Sequence, residues 1–299
     1  MTTSNNILRM ENLNTTTLHS SAVLVDLNIK IYSSKVTDKE VNADVAAKAG
    51  ASEKAGKYQK DLLAGNERLK AVVSKASEAR QLNKKFSMSW NDNGIRVLPV
   101  AKMMDHKAQL DILKQEFFVL VDEFCNNYET DISAAAFALG ALFKRDEYPT
   151  LDEVRSKFAF NVMYSPLPKS GDFRVDISET MKQELMEHFE SQFKDHVTDM
   201  MREPWQRLHS ALKHMSEKLD DEGDKKARIF KTFLSNNEEL IDALKALNVV
   251  NDPDLAAATR EFEQIINQCD LEGLKKDEYL RKDVKAKVDD ILSVYKFDW

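Results

Sequence analysis

Hydrophobic residues recur at steps of three and four along two long stretches of the chain. The first stretch covers residues 101–146 and the second covers 178–220. Such steps place side chains on one face of an α-helix, so the pattern predicts two long amphipathic helices. The apolar positions are Leu110, Leu113, Phe117, Leu120, Phe124 and Tyr128 in the first stretch, and Met181, Leu185, Phe189, Phe193, Val197, Met201, Leu208, Leu212, Met215 and Leu219 in the second.

Alternating apolar and polar residues predict β-structure in three places. Residues 22–32 alternate as a strand with one buried face, and 86–98 alternate on both sides of the turn signal Asn93-Gly94. Residues 158–177 alternate around a loop that contains proline and glycine, which predicts a second hairpin. Shorter helices are predicted near 38–48, 52–63, 66–85, 224–247, 253–269 and 273–296.

These elements predict an α+β fold that is predominantly α-helical. A small antiparallel sheet would be built from 22–32, 86–98 and 158–177. It would lie at the base of a long antiparallel, coiled-coil-like pair in which 101–146 packs against 178–220. The helices near the C-terminal end would form a bundle or an oligomer contact.

The same pattern predicts three parts of the chain. Residues 1–21 are polar and are predicted to be a disordered tail. Residues 22–222 would hold the sheet and the long helical hairpin, and 223–299 would be a C-terminal helical region. The charged stretch 220–226 gives the boundary between the last two parts.

Composition fits a globular helical protein and offers no membrane or secretion signal. The chain is 42% hydrophobic and 31% charged, with only 8 Gly and 6 Pro. No apolar run approaches the roughly 20 residues that a membrane-spanning helix needs. The first residues lack the basic start and apolar centre of a signal peptide, so we expect a cytoplasmic protein. Cys125 and Cys269 are expected to be buried hydrophobes in a reducing compartment.

Charge is unevenly distributed, which leaves one candidate nucleic-acid surface. Residues 1–99 have a net charge of +5 and residues 100–299 a net charge of −12. The acidic part would repel phosphate, which disfavours a general nucleic-acid coat protein. A local basic face remains as an alternative, with Tyr58 and Trp90 as stacking platforms. Its cations are Lys54, Lys57, Lys60, Arg68, Lys70, Lys75, Arg80, Lys84 and Lys85.

No sequence motif points to catalysis, a cofactor or a metal. Gly50 to Lys57 has five residues between its glycines, where a phosphate-binding loop has four. His188 and His196 would lie about 12 Å apart on one helix, too far to share a metal ion. We therefore expect no catalytic, cofactor-binding or metal-binding residues and no enzymatic activity. An enzyme whose site is assembled from scattered residues stays open as an alternative.

Several segments together resemble a family of uncharacterised proteins from bacteriophages and prophages. The segments that carry the resemblance are 25–32 (VDLNIKIY), 38–41 (DKEV), 90–99 (WNDNGIRVLP), 158–162 (FAFNV) and 171–175 (GDFRV). Members of that family are often encoded near a MoxR/CobS-like AAA+ ATPase. The resemblance therefore implies a phage protein in the bacterial host cytosol, with such an ATPase as one conceivable partner.

Rod-like helices without catalytic motifs predict a non-enzymatic interaction or scaffold protein. It would bind a protein partner, either a host defence component in an anti-defence role or an AAA+ ATPase, and would form an oligomer. Nucleic-acid association through residues 54–85 is the alternative partner class. The candidate interaction residues are Lys57, Lys60, Arg68, Lys70, Trp90, Arg96, Phe297 and Trp299. The terminal aromatic residues would dock on the chain's own core or on another subunit.

Overall fold

A computed structural model describes residues 15–169, 178–220 and 231–295. Within them the chain is predominantly helical with a small antiparallel sheet, which confirms the predicted fold class. The helices are α1 (Thr15–Ser21), α2 (Lys39–Lys48), α3 (Glu67–Phe86), α4 (Val100–Asn126), α5 (Tyr128–Leu139), α6 (Leu151–Ser156), α7 (Glu179–Leu219), α8 (Lys231–Leu247), α9 (Pro253–Gln268), α10 (Leu271–Lys276) and α11 (Glu278–Val294). The strands are β1 (Ala22–Lys30), β2 (Lys35–Thr37), β3 (Gln59–Asp61), β4 (Met88–Ser89), β5 (Arg96–Pro99) and β6 (Ala159–Ser165).

The four-stranded sheet has the order β4-β5-β1-β6. Strand β5 pairs antiparallel with β1, where Val25 lies opposite Arg96, and also with β4. The predicted hairpin around Gly94 is confirmed: this glycine has a φ of 90°, and the Trp90 N–H donates to the Ile95 carbonyl at 3.0 Å. The first arm of the hairpin predicted over 158–177 is β6, and its second arm lies outside the described residues.

The chain forms two compact units, each made of several stretches. The first unit comprises 1–26, 84–106 and 163–299, and the second comprises 27–83 and 107–162. This corrects the predicted boundary near residue 222. The C-terminal helices belong to the same unit as α7 because their apolar faces share one hydrophobic core with it.

The core of the first unit is built around the C-terminal two thirds of α7. This helix packs against α11, α8 and β4, and α8 and α11 both pack against α9. Trp205 is fully buried, and its indole Nε1–H donates to Asp252 Oδ2 at 3.0 Å. The buried positions of α7 are Phe193, Val197, Met200, Met201, Pro204, Trp205, Leu208, Leu212, Met215 and Leu219.

These contacts correct the predicted pairing of 101–146 with 178–220. The apolar face of α7 lies in the core of the first unit, where α8 and α11 pack against it. The apolar face of α4 from Leu110 onward lies in the separate core of the second unit. The periodicity of a helix shows that one face must be covered but does not show by which element.

Edge-to-face aromatic contacts build the core of the second unit. Phe117 lies 5.6 Å from Phe160 between ring centroids, and Phe124 lies 5.9 Å from Phe158. Each of these pairs joins α4 to the segment containing β6. Such geometry stabilises by about 0.5–1.5 kcal/mol per pair beyond the burial of apolar area.

The helix predicted over 101–146 is broken in the structure. Helix α4 ends at Asn126 and α5 begins at Tyr128, because Asn127 lies between them with φ −107° and ψ 6°. The Asn127 side chain donates to the Glu123 carbonyl at 2.8 Å, a local bond that competes with helix continuation. Gly140, with a φ of 52°, then ends α5.

Two further predictions are corrected. The helix predicted over 52–63 is a single 3₁₀ turn followed by β3, which pairs with β2 in a two-stranded sheet. The tail predicted to be disordered over 1–21 contains α1, because Leu18 is fully buried in the core of the first unit. Residues 1–14 lie outside the described part of the chain.

His106 makes the stability of the first unit depend on pH. Its side chain is fully buried, and burial lowers its pKa to about 4. The ordinary value is 6.5, so between pH 6.5 and 4 the unfolded chain binds a proton that the folded chain does not. The contribution of the neutral imidazole to the free energy of unfolding is therefore complete above pH 6.5, and it is lost as the pH falls toward 4.

We expect the free energy of unfolding to fall by about 2 kcal/mol between pH 7 and pH 5 from this residue alone. Urea unfolding at both pH values measures it. His106→Phe should make the loss smaller by that amount, whereas His188→Gln at an exposed position should retain the wild-type loss. An unchanged pH slope in His106→Phe would contradict the assignment.

Candidate functional site

The predicted basic face does not exist as a continuous cationic surface. Lys60, one of its central members, has a side chain only 1% exposed. Its ammonium group lies 2.9 Å from Asp38 and 2.7 Å from Glu147, and it donates to the Leu142 carbonyl at 3.0 Å. Lys60 is therefore a structural residue that joins three segments of the second unit, and its candidacy as an interaction residue is corrected.

Burial would by itself lower the pKa of Lys60, but hydrogen bonds to Glu147 and Asp38 outweigh it and raise that pKa. The hydrogen bond from Lys60 in turn lowers the pKa of Asp38. The group remains a fixed ammonium held by two carboxylates. A lysine in that state is neither a nucleophile nor available to a phosphate.

Most other cations of the predicted basic face contact acidic or carbonyl groups. Arg68 lies 2.7 Å from Asp131, and Lys70 lies 3.3 Å from Glu67. The remaining contacts are Lys75 with Glu78 and Glu116, Arg80 with the Ile29 carbonyl, and Lys85 with Glu239. Lys54, Lys57 and Lys84 are exposed. The positive charge that would track a nucleic-acid backbone is therefore largely neutralised within the protein.

Arg96 is also a structural residue rather than a surface contact. It is 9% exposed, and its guanidinium group donates to Glu203, to the Ser87 hydroxyl and to the Ser87 carbonyl at 2.8 Å each. Glu203 lies 2.7 Å from Arg207 as well. Burial raises the pKa of Glu203, but its hydrogen bond from Arg207 and the charges of Arg96 and Arg207 lower it overall. This cluster ties the hairpin to α7.

The described residues offer few side chains for metal binding or redox chemistry. Across residues 15–169, 178–220 and 231–295, no group of three or more His, Cys, Asp or Glu side chains could hold a metal ion. Cys125 is buried as predicted, Cys269 is half-buried, and both are free thiols. Burial raises the pKa of Cys269 to about 11, so its thiol is unreactive at neutral pH. Phe297 and Trp299 lie outside the described residues.

An exposed apolar surface that the sequence analysis did not identify lies on α5. Phe137 is 92% exposed, and the neighbouring Ala134, Ala138 and Ala141 are exposed as well. Ala134, Phe137 and Ala138 follow the i, i+3, i+4 spacing of one face of α5, and Ala141 lies in the 3₁₀ turn that follows the end of the helix. We call them, together with Thr130, the α5 face. The opposite side of α5 is buried through Tyr128, Asp131, Ile132 and Ala135.

The segment that follows the α5 face is firmly anchored. Phe143 packs on Tyr148 with ring centroids 5.4 Å apart, and the Tyr148 hydroxyl donates to the Leu62 carbonyl at 2.6 Å. Lys60 holds the Leu142 carbonyl, as described above. The apolar surface is therefore displayed from a rigid support, which lowers the entropic cost of docking another molecule on it.

Charges near the α5 face are paired with one another. Glu129 lies 2.9 Å from Arg145, and Lys144 lies 2.8 Å from Glu40. The surface is therefore nearly neutral, although the chain as a whole has a net charge of −7.

A second exposed apolar surface lies at the beginning of α7, in the first unit. Met181 is 53% exposed and Leu185 is 38% exposed, while Phe189 is half-buried. We call these three residues the α7 ridge. Phe189 stacks on Phe193, and Phe193 contacts Trp90 edge-on with centroids 5.4 Å apart. Trp90 is half-buried, so this candidate interaction residue lies close to the ridge.

One feature of the sequence could have revealed the α5 face. Residues 132–143 (ISAAAFALGALF) form a run of 12 without a charged side chain, in a chain that is 31% charged. The run lies within the helix predicted over 101–146, and none of its residues is among the apolar positions predicted for that helix.

Comparisons with known proteins add no relatives: no protein-family model, curated protein or solved structure matches the chain. Every helix in the described part of the chain is too short or too polar to cross a membrane.

Proposed function

We propose that this chain is a non-enzymatic interaction protein that self-associates through the α5 face and binds a protein partner. The observation that carries the proposal is the 92% exposure of Phe137 on a face without charged residues. Burying one such phenylalanine side chain stabilises by about 1.5–3 kcal/mol. A symmetric dimer buries two of them at once.

The chemistry of the α5 face suits a second copy of the same chain. Ala134, Ala138 and Ala141 are small, so the backbone of another α5 can approach closely and its Phe137 can lie against them. Since the surrounding ion pairs cancel, two copies with net charge −7 meet here with little repulsion. Identical surfaces that fit each other favour a twofold contact.

The sequence resemblance extends the proposal to a biological setting. If the chain is encoded by a phage, its partner is a protein of the bacterial cytosol, such as a host defence component or an AAA+ ATPase. A dimer offers such a partner two copies of each remaining surface, which increases overall affinity through multivalency.

Self-association is tested by replacing Phe137 with glutamate. The wild-type chain of 34.2 kDa is expected to approach twice that mass with rising concentration in light scattering after size exclusion, whereas Phe137→Glu should stay at 34.2 kDa. The reason is that the new carboxylate would have to be desolvated in the contact. Stability should change by less than about 0.5 kcal/mol, because the site is exposed.

Tyr279→Glu is the matched control, since Tyr279 is an aromatic residue 87% exposed on α11. It should dimerise like the wild type. A wild-type chain that remains at 34.2 kDa at every accessible concentration would refute the proposal, as would unchanged dimerisation of Phe137→Glu.

A further inference from the structure

Helix α4 has a row of exposed, uncharged residues on the side away from its core. Ile112 is 56% exposed and Val119 is 67% exposed. Ala108 and Gln115 are exposed as well, and the four positions follow the three- and four-residue steps of one helix side. We call these four residues the α4 row. Like the α5 face, the row belongs to the second unit.

The α4 row and the α5 face lie on the same side of the chain. Buried positions continue at steps of three and four from α4 into α5, across the break at Asn127. They are Phe117, Val121, Phe124, Tyr128, Ile132 and Ala135. The opposite side therefore continues in the same way. It runs from the α4 row through Asn126, Thr130 and Ser133, which are exposed and uncharged, to Phe137.

The α5 face is too small to hold a dimer by itself. A stable protein interface buries about 800 Å² on each partner. One phenylalanine supplies about 150–250 Å² of that area, and the side chains of Ala134, Ala138 and Ala141 are small. A dimer formed through Phe137 therefore needs further surface, and the α4 row provides it on the same side.

Acidic residues beside the α4 row and the segment that follows it are paired within the chain. Five of them lie 3.9 Å or less from a cation. The pairs are Asp111 with Lys107, Glu116 with Lys75, Asp122 with Arg155, Glu123 with Arg68, and Glu129 with Arg145. A second copy can therefore approach this side without bringing unpaired carboxylates together.

We propose that the α4 row extends the self-association surface, so that two copies pack α4 and α5 side by side in the same direction. This inference rests on the proposed contact between two α5 faces. An antiparallel pair centred on Phe137 would direct the partner's α4 away from the row, whereas a parallel pair brings Ile112 and Val119 each against its own copy. Ile112, Val119 and Asn126 follow one another at seven-residue steps. β-Branched residues and one asparagine at such positions suit a parallel two-stranded contact.

Ile112→Glu and Val119→Lys test whether the row is buried in the dimer. Each should raise the dissociation constant of the dimer at least tenfold in sedimentation equilibrium, because either charge would have to be desolvated in the contact. Val73→Glu is the matched control and should dimerise like the wild type. Val73 is 43% exposed on α3 and lies two positions from Lys75, away from the side that meets Glu116.

Single cysteines test the direction of packing. Ile112→Cys and Val119→Cys should each give a covalent dimer under mild oxidation with copper phenanthroline, because a parallel pair places each residue within disulfide distance of its own copy. An antiparallel pair could join at most one of them. The wild type, whose Cys125 is buried and Cys269 half-buried, should remain monomeric on a non-reducing gel, as should Val73→Cys.

The outcomes separate this inference from the proposed function. If Phe137→Glu is monomeric while Ile112→Glu and Val119→Lys dimerise as tightly as the wild type, the α5 contact stands and the α4 row has no part in it. Weakening by only one of the two charges would indicate long-range electrostatics and would also overturn the inference. Cross-linking of fewer than two cysteine variants would exclude the parallel arrangement. A wild type that stays monomeric would refute both proposals.

Discussion

Replacing Lys60 with methionine is expected to lower the free energy of unfolding by about 3 kcal/mol. Methionine keeps the aliphatic stem but removes the ammonium group, which leaves Asp38 and Glu147 without their shared cation. The Leu142 carbonyl also loses its donor. Urea unfolding at neutral pH, followed by circular dichroism, measures the change.

Lys57→Met is the matched control for this prediction, because Lys57 is a neighbouring lysine on the predicted basic face and is exposed. Its effect should be within about 0.5 kcal/mol. If both variants were equally stable, Lys60 would be a surface residue. It would then be available to a phosphate, as the nucleic-acid interpretation of residues 54–85 requires.

Replacing Trp205 with alanine is expected to cost about 3–5 kcal/mol, the range typical of large aromatic side chains removed from a core. The indole ring is fully buried beside Tyr295, with centroids 5.8 Å apart. Its Nε1–H is bonded to Asp252, whose other carboxylate oxygen accepts from the Asp254 and Leu255 N–H groups at the start of α9. The substitution therefore leaves a cavity and also removes support from a helix cap.

Trp90→Ala is the variant to compare with Trp205→Ala, and chemical denaturation measures both. Trp90 is half-buried near the α7 ridge, and its loss is expected to cost about 1 kcal/mol. If Trp90→Ala were the more destabilising variant, the core of the first unit would not be centred on α7 as described.

Local structure was predicted well where a few neighbouring residues decide it. The hairpin around Gly94 formed because a turn with positive φ suits glycine. Thr150 and Glu153, three residues apart, form a capping box at the start of α6, where the threonine hydroxyl accepts from the Glu153 N–H. Ser178 caps α7 in the same manner through the Met181 N–H.

The candidate interaction residues were predicted less well. Lys60 and Arg96 were chosen for their charge, yet each is buried against carboxylates. Phe137 was not among the candidates, and its exposure becomes visible only in the tertiary structure. Trp90 lies beside one of the two surfaces, although aromatic neighbours cover part of its ring.

The sequence by itself determined most of the helices, the predominantly helical class and the presence of long apolar stripes, because these follow from periodicity and from contacts between near neighbours. Tertiary structure alone decided which helices cover α7, that Lys60 meets Asp38 and Glu147, and that Phe137 faces solvent. Those outcomes depend on residues far apart in the chain. A lysine on a helix or strand looks the same in sequence whether a carboxylate or water faces it.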